Sequence, residues 1–346
     1  MLKQEHSIEV NNLTKYYGPV MAIHKVSFNV GKGEIVGFLG PNGAGKSTTM
    51  RILSGLITAK SGSAKICGIP IASNPDEIKK HIGYMAENNP LPEDMRVVEY
   101  LYYRGWLKEI PRNQLKARVE ETLDLCDLNR TARRKVIANL SKGYRQRVGI
   151  ADAILSEPEV IIMDEPTIGL DPHQVLMIRD LIKNLRGKMT VIISSHILSE
   201  VELYCDRVII INQGHIVACG TSESLCKEFI KKTTYTLNLK GNTSDLDSLL
   251  KGVDPELEIS SSLPDINKDY YDLELTTPNT YDLCEKILTR LYEHPKFRVR
   301  EIRRKVPHLE DIFLAATRRS WNEDIPLPIT KIDSRKKNNQ KTVVVE

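Results

Sequence analysis

The sequence predicts an α/β fold: a parallel-sheet core with an antiparallel β subdomain ahead of it, a helical subdomain inserted into it and a small α+β domain behind it. Three observations predict this. Short apolar runs, Glu34 to Leu39, Val160 to Asp164 and Thr190 to Ser194, alternate with helical periodicity, the pattern of strands buried on both faces. The first run leads into L-G-P-N-G-A-G-K-S-T, Leu39 to Thr48, which fills the phosphate-loop pattern G-x-x-x-x-G-K-[ST]. From about Phe229 the order becomes strand, helix, strand, strand, helix, strand, which suggests a split βαβ domain.

In chain order, Ser7 to Phe28 alternates apolar and polar residues around Gly18-Pro19 and reads as antiparallel strands. Glu34 to Leu39 is the first buried strand, and Lys46 to Leu53 opens the helix that follows the loop. Ala64 to Cys67 and Ile82 to Ala86 are further strands. Leu115, Val119 and Leu123 recur every fourth residue after Pro111, so Glu93 to Asn139 reads as the helical insertion. Its Tyr100, Tyr102, Tyr103 and Trp106 form either a partner surface or a local core. Leu140 to Arg147, L-S-K-G-Y-R-Q-R, opens a helix with Ser141 as its cap. Asp171 caps the next helix, with Pro172 in its first position and an apolar stripe of Val175, Ile178, Leu181, Ile182 and Leu185 up to Gly187. Arg207 to Ile211 and His215 to Ala218 pair as a hairpin. These segments divide the chain into a larger domain, 7–228, with the insertion at 93–139, an accessory domain, 229–320, and a charged tail, 321–346, expected to be disordered.

Composition narrows the function. At 346 residues the chain suffices for one large α/β domain and a smaller one. A net charge of +4 without a long basic stripe argues against a nucleic-acid partner. No apolar run reaches the roughly 18 to 20 residues that span a bilayer, and M-L-K-Q-E-H-S-I-E-V has no signal core, so a cytosolic location is expected. Cys67, Cys126, Cys205, Cys219, Cys226 and Cys284 show no C-x-x-C pairing and read as small apolar side chains.

The chemistry sits at the ends of the apolar strands. Gly40, Gly43 and Gly45 permit a tight turn whose N–H groups face a polyanion. Lys46 supplies a point charge for β- and γ-phosphates, and the Ser47 hydroxyl suits Mg²⁺. Pro41, Asn42, Ala44 and Thr48 complete the loop. Asp164 and Glu165 end a strand, where adjacent residues point to opposite sides, so Asp164 is assigned to Mg²⁺ and Glu165 to the attacking water. His196, at the tip of another strand, is a candidate donor to a γ-phosphate. Tyr17 offers a ring for stacking on adenine, or is a half-buried strand tyrosine.

Taken together, Tyr17, the phosphate loop, L-S-K-G-Y-R-Q-R, the strand ending in D-E-P, the loop G-L-D-P and His196 resemble, in order, the motifs of the ATP-binding subunit of ATP-binding-cassette (ABC) transporters. The resemblance covers about Ser7 to Thr221. I-G-Y-M-A-E-N-N-P-L and the late L-E-D-I-F-L, Leu309 to Leu314, are most similar to the ABC-2 export type, including gliding-motility and multidrug-like exporters. It implies a P-loop ATPase core that binds ATP and Mg²⁺ and works beneath an integral membrane permease, at the cytoplasmic face. It implies pairing as a homodimer or with a homologous ATPase subunit, in which Ser141 and Gly143 of one chain complete the nucleotide site of the other and Asp171 joins that site. A soluble ABC-type clamp or regulator without transport is the alternative reading. Two departures stand out: Glu87 occupies the place of a usual glutamine at the metal, and Lys142 and Tyr144 replace a usual glycine and glutamine.

Overall fold

The computed structural model describes residues 6–241, 246–264, 270–279 and 281–322. Its strands are β1 (His6–Tyr17), β2 (Val20–Gly31), β3 (Ile35–Leu39), β4 (Ser61–Ile66), β5 (Ile69–Pro70), β6 (Ile82–Met85), β7 (Val160–Asp164), β8 (Thr190–Ser195), β9 (Arg207–Asn212), β10 (His215–Gly220), β11 (Thr233–Lys240), β12 (Glu258–Pro264), β13 (Tyr271–Thr277) and β14 (Arg298–Lys305). Its helices are α1 (Lys46–Leu53), α2 (Pro75–His81), α3 (Val97–Leu107), α4 (Arg112–Leu125), α5 (Lys142–Ile154), α6 (Pro172–Leu185), α7 (Leu198–Glu202), α8 (Ser222–Phe229), α9 (Leu246–Lys251), α10 (Cys284–Tyr292) and α11 (Leu309–Asn322).

A six-stranded sheet in the order β10-β9-β3-β8-β7-β6 forms the centre, parallel except for the β9–β10 hairpin. The middles of its strands are apolar because both faces are covered, and polar residues such as Asp164, Thr190 and Ser194 fall toward the strand ends. Val36, Phe38, Val160, Ile162 and Ile192 pack toward the antiparallel sheet β2-β1-β4-β5, whereas Ile35, Leu39, Ile161, Met163 and Ile193 pack toward the helices. One residue of register thus moves a side chain from one core to the other. Burying the two clusters supplies the main stabilisation, at about 25 cal/mol per Å² of apolar surface.

Between β6 and β7 the chain makes the helical insertion. Val97, Leu101, Val119 and Leu123 are fully buried there. The aromatic residues divide between the two readings. Tyr100 is buried and Tyr102 packs against the core, while Tyr103 and Trp106 are exposed.

The third sheet has the order β12-β13-β11-β14, all neighbours antiparallel, with α9 and α10 covering one face. This is the split βαβ arrangement read from the sequence. The chain then returns: α11 buries Leu309, Ile312 and Ala316 in the larger core, against α7, α8, β9 and β10. Helix α11 thus extends well past the Leu309 to Leu314 motif, and the segment assigned to the accessory domain ends in a helix seated on the larger core. Of the charged tail at 321–346, all but the last two residues of α11 lies outside the described residues. No helix of the described residues is long and apolar enough to cross a membrane.

Candidate functional site

The phosphate loop runs from the end of β3 to the start of α1, and its shape depends on glycine. Gly43 and Gly45 have φ of 80° and 110°, where a side chain is strained. A Cβ on Gly45 would lie 2.6 Å from Ile23 and 2.7 Å from the Ala22 carbonyl, while one on Gly43 would meet nothing within 4 Å, so Gly43 faces open space. Helix α1 begins at Lys46 with no side-chain cap, leaving its first N–H groups for an anion. A further tie holds the loop from behind: Gly214 N–H donates to Ala44 O and His24 N–H donates to Gly214 O, both at 2.9 Å.

Lys46 is 6% exposed, and an ammonium so buried requires partners. It donates to Gly40 O at 2.8 Å and Pro41 O at 3.4 Å and pairs with Glu165 Oε1 at 3.4 Å. Ser47 Oγ donates to Asp164 Oδ1 at 3.2 Å. Glu165 Oε2 lies 2.7 Å from His196 Nδ1. The burial of Tyr84 and then the negative charge of Asp164 push the Tyr84 phenol above its ordinary pKa.

The two carboxylates are separated differently from the expectation. Strand β7 ends at Asp164, and Glu165 is left-handed with φ of 52°, which costs about 1 to 2 kcal/mol. The turn is held by the Glu165 N–H, which donates to Ser194 O at 3.2 Å and Ser194 Oγ at 3.0 Å. Alternation along an extended strand therefore does not divide their tasks. Asp164 stays beneath Ser47, and the turn carries Glu165 toward Lys46 and His196.

A cavity of about 470 Å³ opens above this constellation. Of the sequence-predicted residues, Tyr17, Asn42, Gly43, Gly45, Lys46, Ser47, Thr48, Glu87, Glu165 and His196 line it. Tyr17 is 47% exposed and lines the cavity, with Lys15 Nζ 5.6 Å from its ring centre. Gly40, Pro41 and Ala44 lie behind the wall as backbone, and Asp164 reaches the cavity only through Ser47. Ser141, Gly143 and Asp171 do not line it. Ser141 caps α5 by accepting from the Tyr144 N–H, and Asp171 caps α6 by accepting from the Gln174 N–H. A Cβ on Gly143 would lie 2.5 Å from the Gln174 side chain, so these two helix starts adjoin each other on another surface.

Sequence reasoning missed Val20, Met21, Ala22 and Ile168 in the lining, because apolar strand and loop residues carry no chemical signal. It also missed Ser194, fully buried and donating to Asp164 Oδ1. The small polar residue closing the apolar run T-V-I-I-S was the available sign.

The donors fit a nucleoside triphosphate with Mg²⁺. Mg²⁺ bound to phosphates takes only one or two protein oxygens, which the Ser47 hydroxyl and Asp164 could supply.

The family model for ABC transporters matches residues 23–168. The chain is 33% identical over 321 residues to the linearmycin resistance ATP-binding protein LnrL of Bacillus subtilis, covering 91% of this chain and 100% of that one. It is also 33% identical over 256 residues to the Nod factor export ATP-binding protein I of Rhizobium meliloti, covering 73% and 76% of the two chains. Among solved structures it is similar to an ATP-binding subunit of an ABC transporter, with a TM-score of 0.59 and 31% identity over 64% of this chain and 92% of that chain. A dimeric post-hydrolysis state of the ATP-binding cassette MJ0796, bound to ADP and Pi, matches with a TM-score of 0.57 and 26% identity, covering 62% and 98% of the two chains. A relative matched along its whole length, together with a phosphate loop set above divided carboxylates, means that this chain belongs to the ATP-binding subunits of ABC transporters.

Proposed function

We propose that the chain hydrolyses ATP with Mg²⁺ as one of a pair of ATPase subunits and drives export through a separate membrane permease, from the cytoplasmic face. Ser47 and Asp164 hold Mg²⁺, with Glu87 as a further oxygen facing the same cavity. A metal held there would supply positive charge against that developing on the transferred phosphoryl group. Lys46 and the N–H groups of the loop bind the β- and γ-phosphates, and Tyr17 stacks on the adenine. Glu165 orients and polarises the attacking water. His196 holds the Glu165 carboxylate through their 2.7 Å hydrogen bond and donates to the γ-phosphate.

One observation carries this reading: adjacent carboxylates are given separate partners, Asp164 with Ser47 and Glu165 with Lys46 and His196. The separation suits a metal ligand and a water-orienting group. Ser141, Gly143 and Asp171 lie off their own chain's cavity, which supports a role in the site of a second subunit, either a copy of this chain or a homologous ATPase. ATP then joins two chains, and cleavage of the γ-phosphate removes the charge that joined them. The domain limits 7–228, 93–139 and 229–320 belong to the same reading, with α11 at the end of the last seated on the larger core. The names of the linearmycin resistance and Nod factor export relatives support export. No nucleic acid takes part.

The test is Glu165→Gln. The variant is expected to bind Mg²⁺ and ATP and to elute as a dimer in ATP. Turnover is expected to fall about 10²- to 10⁴-fold, the contribution of a positioned acid–base group. Retained hydrolysis together with a monomer at saturating ATP would overturn the assignment.

A further inference from the structure

The proposed reaction needs the site of one chain to govern where its own Ser141 points, although the two are on different surfaces. A physical connection runs between them. Strand β6 carries the chain from the sheet edge to Glu87 in the cavity wall, and two residues later Asn89 reaches α5, the helix that Ser141 caps. Asn89 Nδ2 donates to the Arg145 carbonyl at 3.2 Å, within the first turns of that helix. A Cβ on Gly149, one turn further on, would fall on the Asn89 amide, so the amide lies flat against bare helix backbone. Behind it, Gly83 of β6 approaches the Ala153 carbonyl just as closely. The same loop is tied on its other side, where the Ala138 N–H donates to Glu93 O at 3.0 Å.

We propose that Asn89 is a positioning residue that fixes the direction of the Ser141 end of α5 relative to Glu87, so that ligation at Glu87 in one chain is relayed to the site of its partner. The inference rests on the paired-subunit reading above. Asn89 touches neither the cavity nor the nucleotide, and its effect passes through α5. A displacement of Glu87 moves Asn89, and the close fit on Gly149 passes that movement to the helix instead of absorbing it. A larger residue at 149 would hold the loop off the helix, and a side chain at 89 without a donor would take from the Arg145 carbonyl the one bond that comes from this loop, leaving only its bond within the helix.

Asn89→Asp keeps the shape of the side chain and removes the donor. Placed in the Glu165→Gln background, it is expected to bind fluorescent ATP with a Kd within about twofold of its parent, which also reports an intact fold. The ATP concentration needed for dimer formation in gel filtration is expected to rise about tenfold, the fold-change of one hydrogen bond. In the otherwise native chain, kcat falls by a similar factor with KM little changed. Gly149→Ala reproduces the effect by steric displacement, and the double variant Asn89→Asp/Gly149→Ala is no worse than either alone, because both cut one connection. Dimerisation of Asn89→Asp at the parent's ATP concentration, or additive losses in the double variant, would overturn the inference alone. Failure of the Glu165→Gln parent to dimerise would overturn the paired-subunit reading and this inference with it.

Discussion

Asp164 in the central sheet and Asp254 in the C-terminal sheet domain are both almost wholly buried, at 1% and 2% exposure, yet their surroundings differ in kind. Asp254 accepts from Thr277 Oγ1 and Asn279 Nδ2 at 2.8 Å each and from the Glu256 N–H at 3.1 Å, every donor belonging to its own domain. Asp164 shares its hydrogen bonds with Ser47, whose hydroxyl lines an open cavity, and its neighbour Glu165 is held in a strained conformation beside a buried lysine. The first arrangement staples a loop. In the second, charge and strain are kept at an opening where a ligand reaches them. Burial of an ionisable group alone therefore does not mark a site; what marks it is where the group's partners lead.

The largest effects test that difference directly. Lys46→Ala removes a charged donor from the opening and should weaken ATP binding about 10- to 100-fold, the worth of one hydrogen bond to a charged group. Equilibrium binding measures it, and unchanged affinity would mean that the cavity is not where phosphates bind. Leu237→Ala strikes the other region. Leu237 is 1% exposed in the C-terminal core, so the change should destabilise that domain by about 2 to 5 kcal/mol. ATP affinity should stay within about twofold. A comparable loss of binding would show that the two regions are one unit, and the comparison would break.

How much of this was legible in the sequence follows the same line. The phosphate loop, the order of strands and the C-terminal split βαβ pattern were readable, because glycine spacing and apolar periodicity are local. The division of Asp164 from Glu165 was only half readable. Their separation is expected from the alternation of an extended strand, but its cause is a left-handed turn pinned by Ser194, 29 residues distant from Glu165 in sequence. Val20, Met21 and Ala22 were illegible as cavity wall, since apolar strand residues look alike whether they face a core or an opening. The return of α11 to the larger core was likewise hidden, because an amphipathic stripe does not say which surface it covers.

The smallest effect separates the regions by pH. Burial, and then neighbouring His24, hold the His215 imidazole below its ordinary value. The folded state thus binds fewer protons there than the unfolded chain, so stability falls as pH drops through about 6.5 and levels off below the folded pKa. His215 precedes no motif, but it follows Gly214, whose N–H supports the phosphate loop at Ala44, so the loosening should be felt at the nucleotide end. For Asp254 burial acts upward, but the hydrogen bonds from Asn279, Thr277 and the Glu256 N–H outweigh it and hold the carboxyl below its ordinary value. Its contribution is present above about pH 3.9 and is lost as pH falls below that, through the folded pKa. Amide hydrogen exchange followed by region should therefore show the loop and the β9–β10 hairpin loosening as pH falls below about 6.5 while the C-terminal sheet remains protected. His215→Asn should remove the first change, and Asp254→Asn should flatten only the acid limb of the second. Simultaneous loosening of both regions, unaltered by either substitution, would mean that the two share one titration and that the contrast between an open and a closed network has no energetic counterpart.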